Sequence, residues 1–371
     1  MPAQTTLDDR RDADGGVTAR FWHRLDDGRL QCDLCPHHCR LRDGQRGRCF
    51  VRARQGDRLV LTTYGRASGF CVDPIEKKPL NHVLPGSAVL SFGTAGCNLS
   101  CRFCQNWEIS TSREIDTLTE EAAPADIAAA AETLGCASVA FTYNDPVIFH
   151  EYAVDVAVAC RARGIRTVAV TAGFVEPEPR REFYAAMDAA NIDLKAFTSD
   201  FYRRLCGAHL DPVLDTLRYV ARETDVWLEV TTLLIPGHND SDAEVAKLAG
   251  WIANELGADV PLHLTAFSPA HRMTDVPPTP PATLRRARRT ALRCGLRFVY
   301  TGNVHDLEGG TTTCPGCRTA AIVRDGYTLA RYHLDDRGHC RTCGTRLPGI
   351  FAGHPGTWGQ RRRPVTIGTR P

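Results

Sequence analysis

The chain has 371 residues, 43% of them hydrophobic, and a formal net charge of +2. That length suits two or three domains with a sizeable core. No run approaches the roughly 18 consecutive apolar residues that a bilayer span needs, and the near-neutral charge favours no particular partner.

The sixteen cysteines are the unusual feature. The polar, mixed-charge N-terminus has no apolar export segment, so a cytoplasmic location is expected. In a long chain of that kind, clustered cysteines read as metal ligands before disulfides. Basic charge is almost all arginine, with Lys77, Lys78, Lys195 and Lys247 as the lysines, and acidic residues offset it throughout.

In chain order, residues 1–20 read as a flexible tail. Residues 21–88 carry Cys32, Cys35, Cys39 and Cys49, spaced C-x2-C-x3-C-x9-C. The stretch is too loop-rich for much core, so a metal is expected to fold it. Four thiolates suit tetrahedral zinc or a second iron–sulfur cluster. Gly44 and Gly47 resemble a knuckle and tilt the reading towards zinc. His37 and His38 read as surface neighbours, because four thiolates are already present. The charged, proline-bounded stretch 73–82 is either a solvated linker or a loop over the mouth of the next domain.

From residue 89 to 305 short β-rich runs alternate with helical patterns. Strands are predicted at 89–93, 138–143, 166–171, 191–195, 226–234, 262–267 and 296–300. Helices are predicted near 120–134, 147–163, 178–189, 199–222, 241–256 and 281–294. The best-marked start is a capping box of Ser241 with Glu244, followed by Val245, Leu248, Ile252 and Leu256 on one stripe. Such alternation implies an α/β fold with a parallel sheet under helices. Six repeats and a closing strand fall short of eight, which favours a partial (β/α)6 barrel. Asp193 and Lys195 end an apolar strand, where the active-site groups of a parallel barrel emerge.

The loop after the first strand reads GTAGCNLSCRFCQNW and spaces Cys97, Cys101 and Cys104 as C-x3-C-x2-C. Four thiolates close a [4Fe-4S] cluster, whereas three leave one iron without a protein ligand. A chelator with an amine and a carboxylate can take that iron, and S-adenosylmethionine (SAM) is such a molecule. The competing reading is a zinc knuckle lacking its fourth ligand.

Residues 306–350 carry Cys314, Cys317, Cys340 and Cys343 as C-x2-C-x22-C-x2-C, a zinc-ribbon spacing whose four ligands close a tetrahedron and act structurally. A rubredoxin-like iron site has the same ligands. The module lacks a dense basic and aromatic face, so no nucleic-acid partner is expected. Cys136, Cys160, Cys206 and Cys294 read as buried inert thiols, and Cys71 lies in a loop-like stretch. Residues 351–371 end in RRRPVTIGTRP and read as a basic, poorly ordered tail.

The stretches CDLCPHHC, DPIEKKPLNHVLPGS, SFGTAGCNLSCRFCQNW, FTYNDPVIFHEY, NIDLKAF, TTLLIPGHNDS and TGNV carry a resemblance. The central 215 or so residues resemble the radical SAM superfamily, near the pyruvate formate-lyase activating enzymes. Over nearly its full length the chain is similar to the radical SAM enzymes of the AmmeMemoRadiSam system. The resemblance implies an oxidoreductase-type reaction: a [4Fe-4S] cluster cleaves SAM reductively, and the resulting 5'-deoxyadenosyl radical abstracts hydrogen.

It implies that Phe103 packs near the adenine and that Asn106 belongs to the same loop. It places Asn144 and Asp145 in a loop that receives the SAM amino group, with Asp145 where many relatives carry Glu. Ala172 stands where relatives often have Asn. Asp193 and Lys195 match an Asp-Leu-Lys of the activating enzymes, with Lys195 towards the SAM carboxylate, and His263 matches a histidine near that carboxylate. It further implies a one-electron reductant of the flavodoxin or ferredoxin type. The substrate it implies is a protein or peptide, other AmmeMemoRadiSam system proteins included, reached through the opening of the partial barrel. No residue is assigned to the hydrogen abstraction itself. The alternative class is a multi-zinc scaffold that binds RNA or a partner protein.

Overall fold

The computed structural model of the protein describes residues 16–112 and 120–367. Among these, seven strands form a continuous parallel sheet. They are β1 (Ala88–Gly93), β2 (Ser138–Phe141), β3 (Arg166–Thr171), β4 (Ala189–Asp193), β5 (Trp227–Leu234), β6 (Leu262–Ala266) and β7 (Val299–Gly302), paired in sequence order. Helices α1 (Pro124–Thr133), α2 (His150–Arg161), α3 (Pro177–Ala185), α4 (Asp211–Glu223), α5 (Asp242–Trp251) and α6 (Pro281–Arg293) fill the crossovers. This is the expected partial barrel, with strand ends within a few residues of those predicted.

Strands buried on both faces carry almost unbroken apolar runs, as in AVLSFG of β1, where every residue is buried. Leu90, Phe92, Val139, Phe141, Ala190 and Ile192 face the helices and join Ile127, Val156 and Leu217 in the main core. The opposite face looks into the barrel. There Val89, Ala140, Val168 and Ala189, near the strand starts, pack against Ile75, Leu80 and Val83.

The charged stretch 73–82 is therefore neither a solvated linker nor a lid. It is a plug in the N-terminal end of the barrel, and its buried charges are held by protein groups. Buried Asp73 accepts from Lys77 and Lys78 at 2.8 and 2.7 Å. Buried Glu76 accepts from the backbone of Gly86 at 2.7 Å.

Three further expectations change. Val17–Thr18 pairs with Val60 and Leu61, so the folded chain starts before residue 21; residues 1–15 of the expected tail lie outside the described residues. At the other end, Arg363–Pro364 pairs antiparallel with Val72 and Cys71, and Ile367 is buried. The basic run is an edge strand, the position that tolerates proline, although residues 368–371 lie outside the described set. Cys71 sits in the strand Arg66–Pro74, antiparallel to β1, and not in a loop. No described helix is long and apolar enough to cross a membrane.

Ser241 caps α5 by accepting from Glu244 N. The Glu244 carboxylate does not close the box; it accepts from the backbone of Phe197, beyond the end of β4.

The flanking modules are small. Trp22–Arg24, Leu30–Cys32 and Arg40–Leu41 form one three-stranded sheet, and Thr312–Thr313, Ala320–Asp325 and Thr328–Tyr332 form another. Arg52, 1% exposed, ties the N-terminal module to α2 through Glu151 at 2.6 Å. Removing either partner of such a buried pair costs about 3–5 kcal/mol.

Candidate active site

A cavity of about 340 Å³ opens over the C-terminal ends of the strands, and Cys97, Cys101 and Cys104 line it. The three cysteines lie on the loop that leaves β1, and backbone contacts fix that loop from several sides. Gly96 has φ +80° and its Cα lies against the Cys49 carbonyl, which a Cβ would strike; only glycine fits both conditions. On the far side, Ser100 N and Arg102 N donate to Cys206 O and Leu205 O at 2.9 and 2.8 Å. Gly207, with φ +64°, keeps that turn clear of Ser100.

The Cys206 thiol hydrogen-bonds to Cys101, and together with burial this pushes Cys101 well above the ordinary thiol range. Cys206 is fully buried, as its sequence context indicated, but its place beside Cys101 was not legible there. The adjacent Gly207 was the available signal.

Each of the seven side chains expected around a cofactor lines this cavity, although several are already engaged. The Asn144 amide clamps the turn before Cys97, donating to Gly96 O at 2.8 Å and accepting from Thr94 N at 3.1 Å. Asp145 accepts from Val147 N, Thr171 Oγ1 and Ala172 N, each at 3.0 Å. Burial still raises its pKa. These two residues join the loops after β1, β2 and β3. Their polar atoms are therefore held by protein groups, and not free as expected for partners of an amino group. Ala172, lacking the amide side chain of Asn, contributes its backbone N–H to that brace.

Lys195 donates to Asp193 at 2.7 Å. Burial alone would lower its pKa, but Asp193 and the Cys101 and Cys206 sulfurs outweigh burial and hold the ammonium well above the lysine range. Phe103 is buried with its ring 5.7 Å from that of Phe201. Asn106 is exposed at the start of the helical turn Trp107–Ser110.

Register places Asp193, Thr231, His263 and Tyr300 side by side across β4 to β7. His263 Nε2 pairs with Glu229 at 2.6 Å, and its ring stacks on Tyr300. The carboxylate that His263 meets is thus that of Glu229, whereas the resemblance implied the carboxylate of SAM. Burial opposes the charge of Glu229, but His263 outweighs it and holds the carboxyl down to about 2. Glu229 also accepts from the backbone of Asn81 and His82, so this network anchors the plug.

Arg324, from the C-terminal module, reaches the same place. It donates to Asn81 O at 2.6 Å and to Thr312 Oγ1 at 2.9 Å. Arg324, Gly326 and Tyr327 line the cavity. The plug and this module therefore meet at the cavity, whose wall includes Glu76, Lys77 and Asn81 from the one and Arg324 and Tyr327 from the other.

The two flanking cysteine groups differ in form. In the C-terminal group the four sulfurs lie within 4.8 Å of one another. Cys314 and Cys343 are 3.6 Å apart, and Cys317 and Cys340 are 3.7 Å apart. A tetrahedral ion with metal–sulfur bonds of about 2.3 Å places its ligands roughly 3.8 Å apart, so this donor set fits one such ion. The Thr319 hydroxyl and backbone beside Cys317 bring that thiol down to about 6. In the N-terminal group burial pushes Cys32 up to about 12. His37 is not a bystander, because its Nε2 meets Asn98 O, one residue beyond Cys97, at 2.7 Å.

The radical SAM superfamily model matches residues 92–249, the span from β1 into α5. An uncharacterized protein of Methanocaldococcus jannaschii is 38% identical over 330 residues, covering 89% of this chain and 98% of that protein. The chain belongs to the radical SAM superfamily. The 4-hydroxyphenylacetate decarboxylase activating enzyme of Clostridium scatologenes is 29% identical over 113 residues, which are 30% of this radical SAM protein and 36% of the relative. Among solved structures, a radical SAM methyltransferase from Sphaerobacter thermophilus aligns at TM-score 0.47 and 14% identity, covering 77% of this chain and 76% of that one. The protein is an enzyme of the radical SAM type, a family that works with SAM and a [4Fe-4S] cluster.

Proposed function

We propose that Cys97, Cys101 and Cys104 hold a [4Fe-4S] cluster whose open iron takes SAM, and that the enzyme uses it to abstract hydrogen from a substrate. One observation carries this reading: three thiols on the loop after β1 open onto a cavity whose wall also presents the Lys195–Asp193 pair. Three thiolates and a vacant coordination position fit a cluster with one unliganded iron. When bound, that cluster supplies the electron that splits SAM into methionine and the 5'-deoxyadenosyl radical.

The chain's own residues bind and orient. Lys195 gives its ammonium to the SAM carboxylate while staying within reach of Asp193, and Phe103 offers an apolar surface to the adenine. Asn144 and Asp145 act indirectly, by holding the cysteine loop and the neighbouring strand ends in register. Asn106 lies at the exposed rim, and His263, held by Glu229, keeps the floor of the cavity polar. The C-terminal group is read as structural zinc, which the near-tetrahedral sulfur spacing supports. The reductant is of the flavodoxin or ferredoxin type. The substrate is a protein or peptide, with other proteins of an AmmeMemoRadiSam system as the first to try.

The test is anaerobic reconstitution with iron and sulfide, then incubation with SAM and dithionite. 5'-Deoxyadenosine should form, and none should form with the Cys97→Ala protein. A colourless protein that holds only zinc and leaves SAM intact would favour a metal-built scaffold instead.

A further inference from the structure

The cysteine groups come in two gauges. The C-terminal sulfurs sit at the spacing of ligands around one ion. Among the described residues, that group alone gathers three or more metal-binding side chains within 4.8 Å. The trio on the β1 loop is therefore wider, as expected when each thiolate binds a different iron at the corner of a cluster.

The N-terminal group shares the wider gauge. Two of its sulfurs approach one site, since a Cβ at Gly47 would lie 3.8 Å from those of both Cys39 and Cys49, and Cys32 N donates to Cys39 O at 2.9 Å beside them. Yet no three of the four sulfurs fall within 4.8 Å of one another. Arg48 N donates to the Cys39 sulfur at 3.4 Å, the kind of contact that tunes a cluster.

Position adds a second argument. The Cys49 carbonyl packs on Gly96, immediately before Cys97. His37, between Cys35 and Cys39, meets Asn98 O, immediately after it. Arg48 Nη2 donates to Ser100 Oγ at 3.0 Å. The N-terminal group thus grips the β1 loop on both sides of its first cysteine.

We propose that Cys32, Cys35, Cys39 and Cys49 bind a second iron–sulfur cluster, closed by four thiolates, which stands next to the cluster on the β1 loop and exchanges electrons with it. One electron from a ferredoxin- or flavodoxin-type reductant enters this cluster and leaves to its neighbour, with no bond or proton changing hands. Of the knuckle-like glycines that suggested zinc, Gly47 faces the sulfurs of Cys39 and Cys49, and the close approach of the two loops is made at Gly96. Only the identity of the neighbour rests on the proposed function.

The test uses the full chain carrying Cys97→Ala, Cys101→Ala and Cys104→Ala together, reconstituted anaerobically. It should keep about four irons and an EPR signal on reduction, against about eight irons in the unmodified protein. Adding Cys32→Ser and Cys39→Ser should remove both iron and signal. In the unmodified background, Cys32→Ser with Cys39→Ser should leave the SAM-responsive signal but slow its appearance with reduced flavodoxin by tenfold or more. A triple variant that carries zinc and no iron overturns the proposal and leaves the SAM chemistry standing. If the triple variant does not fold, the iron count of the unmodified protein decides, and about four irons overturns the proposal. Four irons in the triple variant, with no SAM cleavage by the unmodified protein, would uphold this site and sink the proposed function.

Discussion

The C-terminal cysteine group and the β1 loop use the same side chain for opposite ends. In the first, four sulfurs gather within 4.8 Å on a module whose core holds few large apolar residues, among them Ile322, Leu334 and Leu347. Four protein ligands would fill every position around one tetrahedral ion and leave none for a substrate. In the second, three sulfurs face a cavity of about 340 Å³, and the main core packs behind them. With that core behind it the loop is expected to fold without a metal, and three thiolates would leave one position of the proposed cluster open for chemistry. Ligand count and the amount of core nearby separate the two roles.

Substitutions at the two sites should therefore fail differently. The largest effect belongs to the β1 loop. Cys97→Ala, Cys101→Ala or Cys104→Ala should abolish 5'-deoxyadenosine formation, because two thiolates do not retain the cluster. The melting temperature should stay near that of the unmodified apoprotein, since the barrel core is untouched. Full SAM cleavage by any of the three would erase the distinction between the sites.

Cys314→Ser or Cys340→Ser should do the reverse. Losing the ion removes on the order of 10 kcal/mol of binding energy that folds the module. The expected readout is loss of zinc and proteolysis near residue 310, which in turn releases Arg324 from Asn81. Normal zinc content with a normal melting point would show that these cysteines are not ligands.

Gly96→Ala probes the joint between the loop and the N-terminal module. A side chain here needs a left-handed backbone and meets the Cys49 carbonyl, at a combined cost of about 2–5 kcal/mol. Melting temperature and reconstituted iron should both fall. No change in either would mean that the loop and Cys49 are not in contact.

The smallest effect is expected at Lys195→Ala. Loss of one charge-assisted hydrogen bond costs about 1.5–3 kcal/mol, or roughly ten- to a hundred-fold in SAM affinity, with iron content unchanged. SAM titration of the reduced protein measures it. An unaltered dissociation constant would make Lys195 a partner of Asp193 alone.

Much of the barrel was legible because its signals are local: apolar runs of strand length, helical stripes between them, and a cysteine loop at the end of β1. What was missed depends on partners distant in sequence. Glu76, Lys78 and Asn81 look solvated in a proline-bounded run, yet Glu76 and Asn81 meet Arg324, more than 240 residues away. Two-residue strands such as Val17–Thr18 and Arg363–Pro364 are too short to show any alternation. The engagement of Asn144 and Asp145 was hidden for a related reason. Motif position gives a residue's neighbourhood, whereas the direction of its amide or carboxylate depends on backbone groups supplied by other loops.

The most direct measurement of the central claim is EPR of the dithionite-reduced, reconstituted protein before and after SAM, with product analysis on the same sample. A reduced-cluster signal that changes shape on adding SAM, accompanied by 5'-deoxyadenosine, is the predicted result. A signal indifferent to SAM, with no 5'-deoxyadenosine formed, would contradict the assignment of an open iron to the Cys97, Cys101 and Cys104 loop.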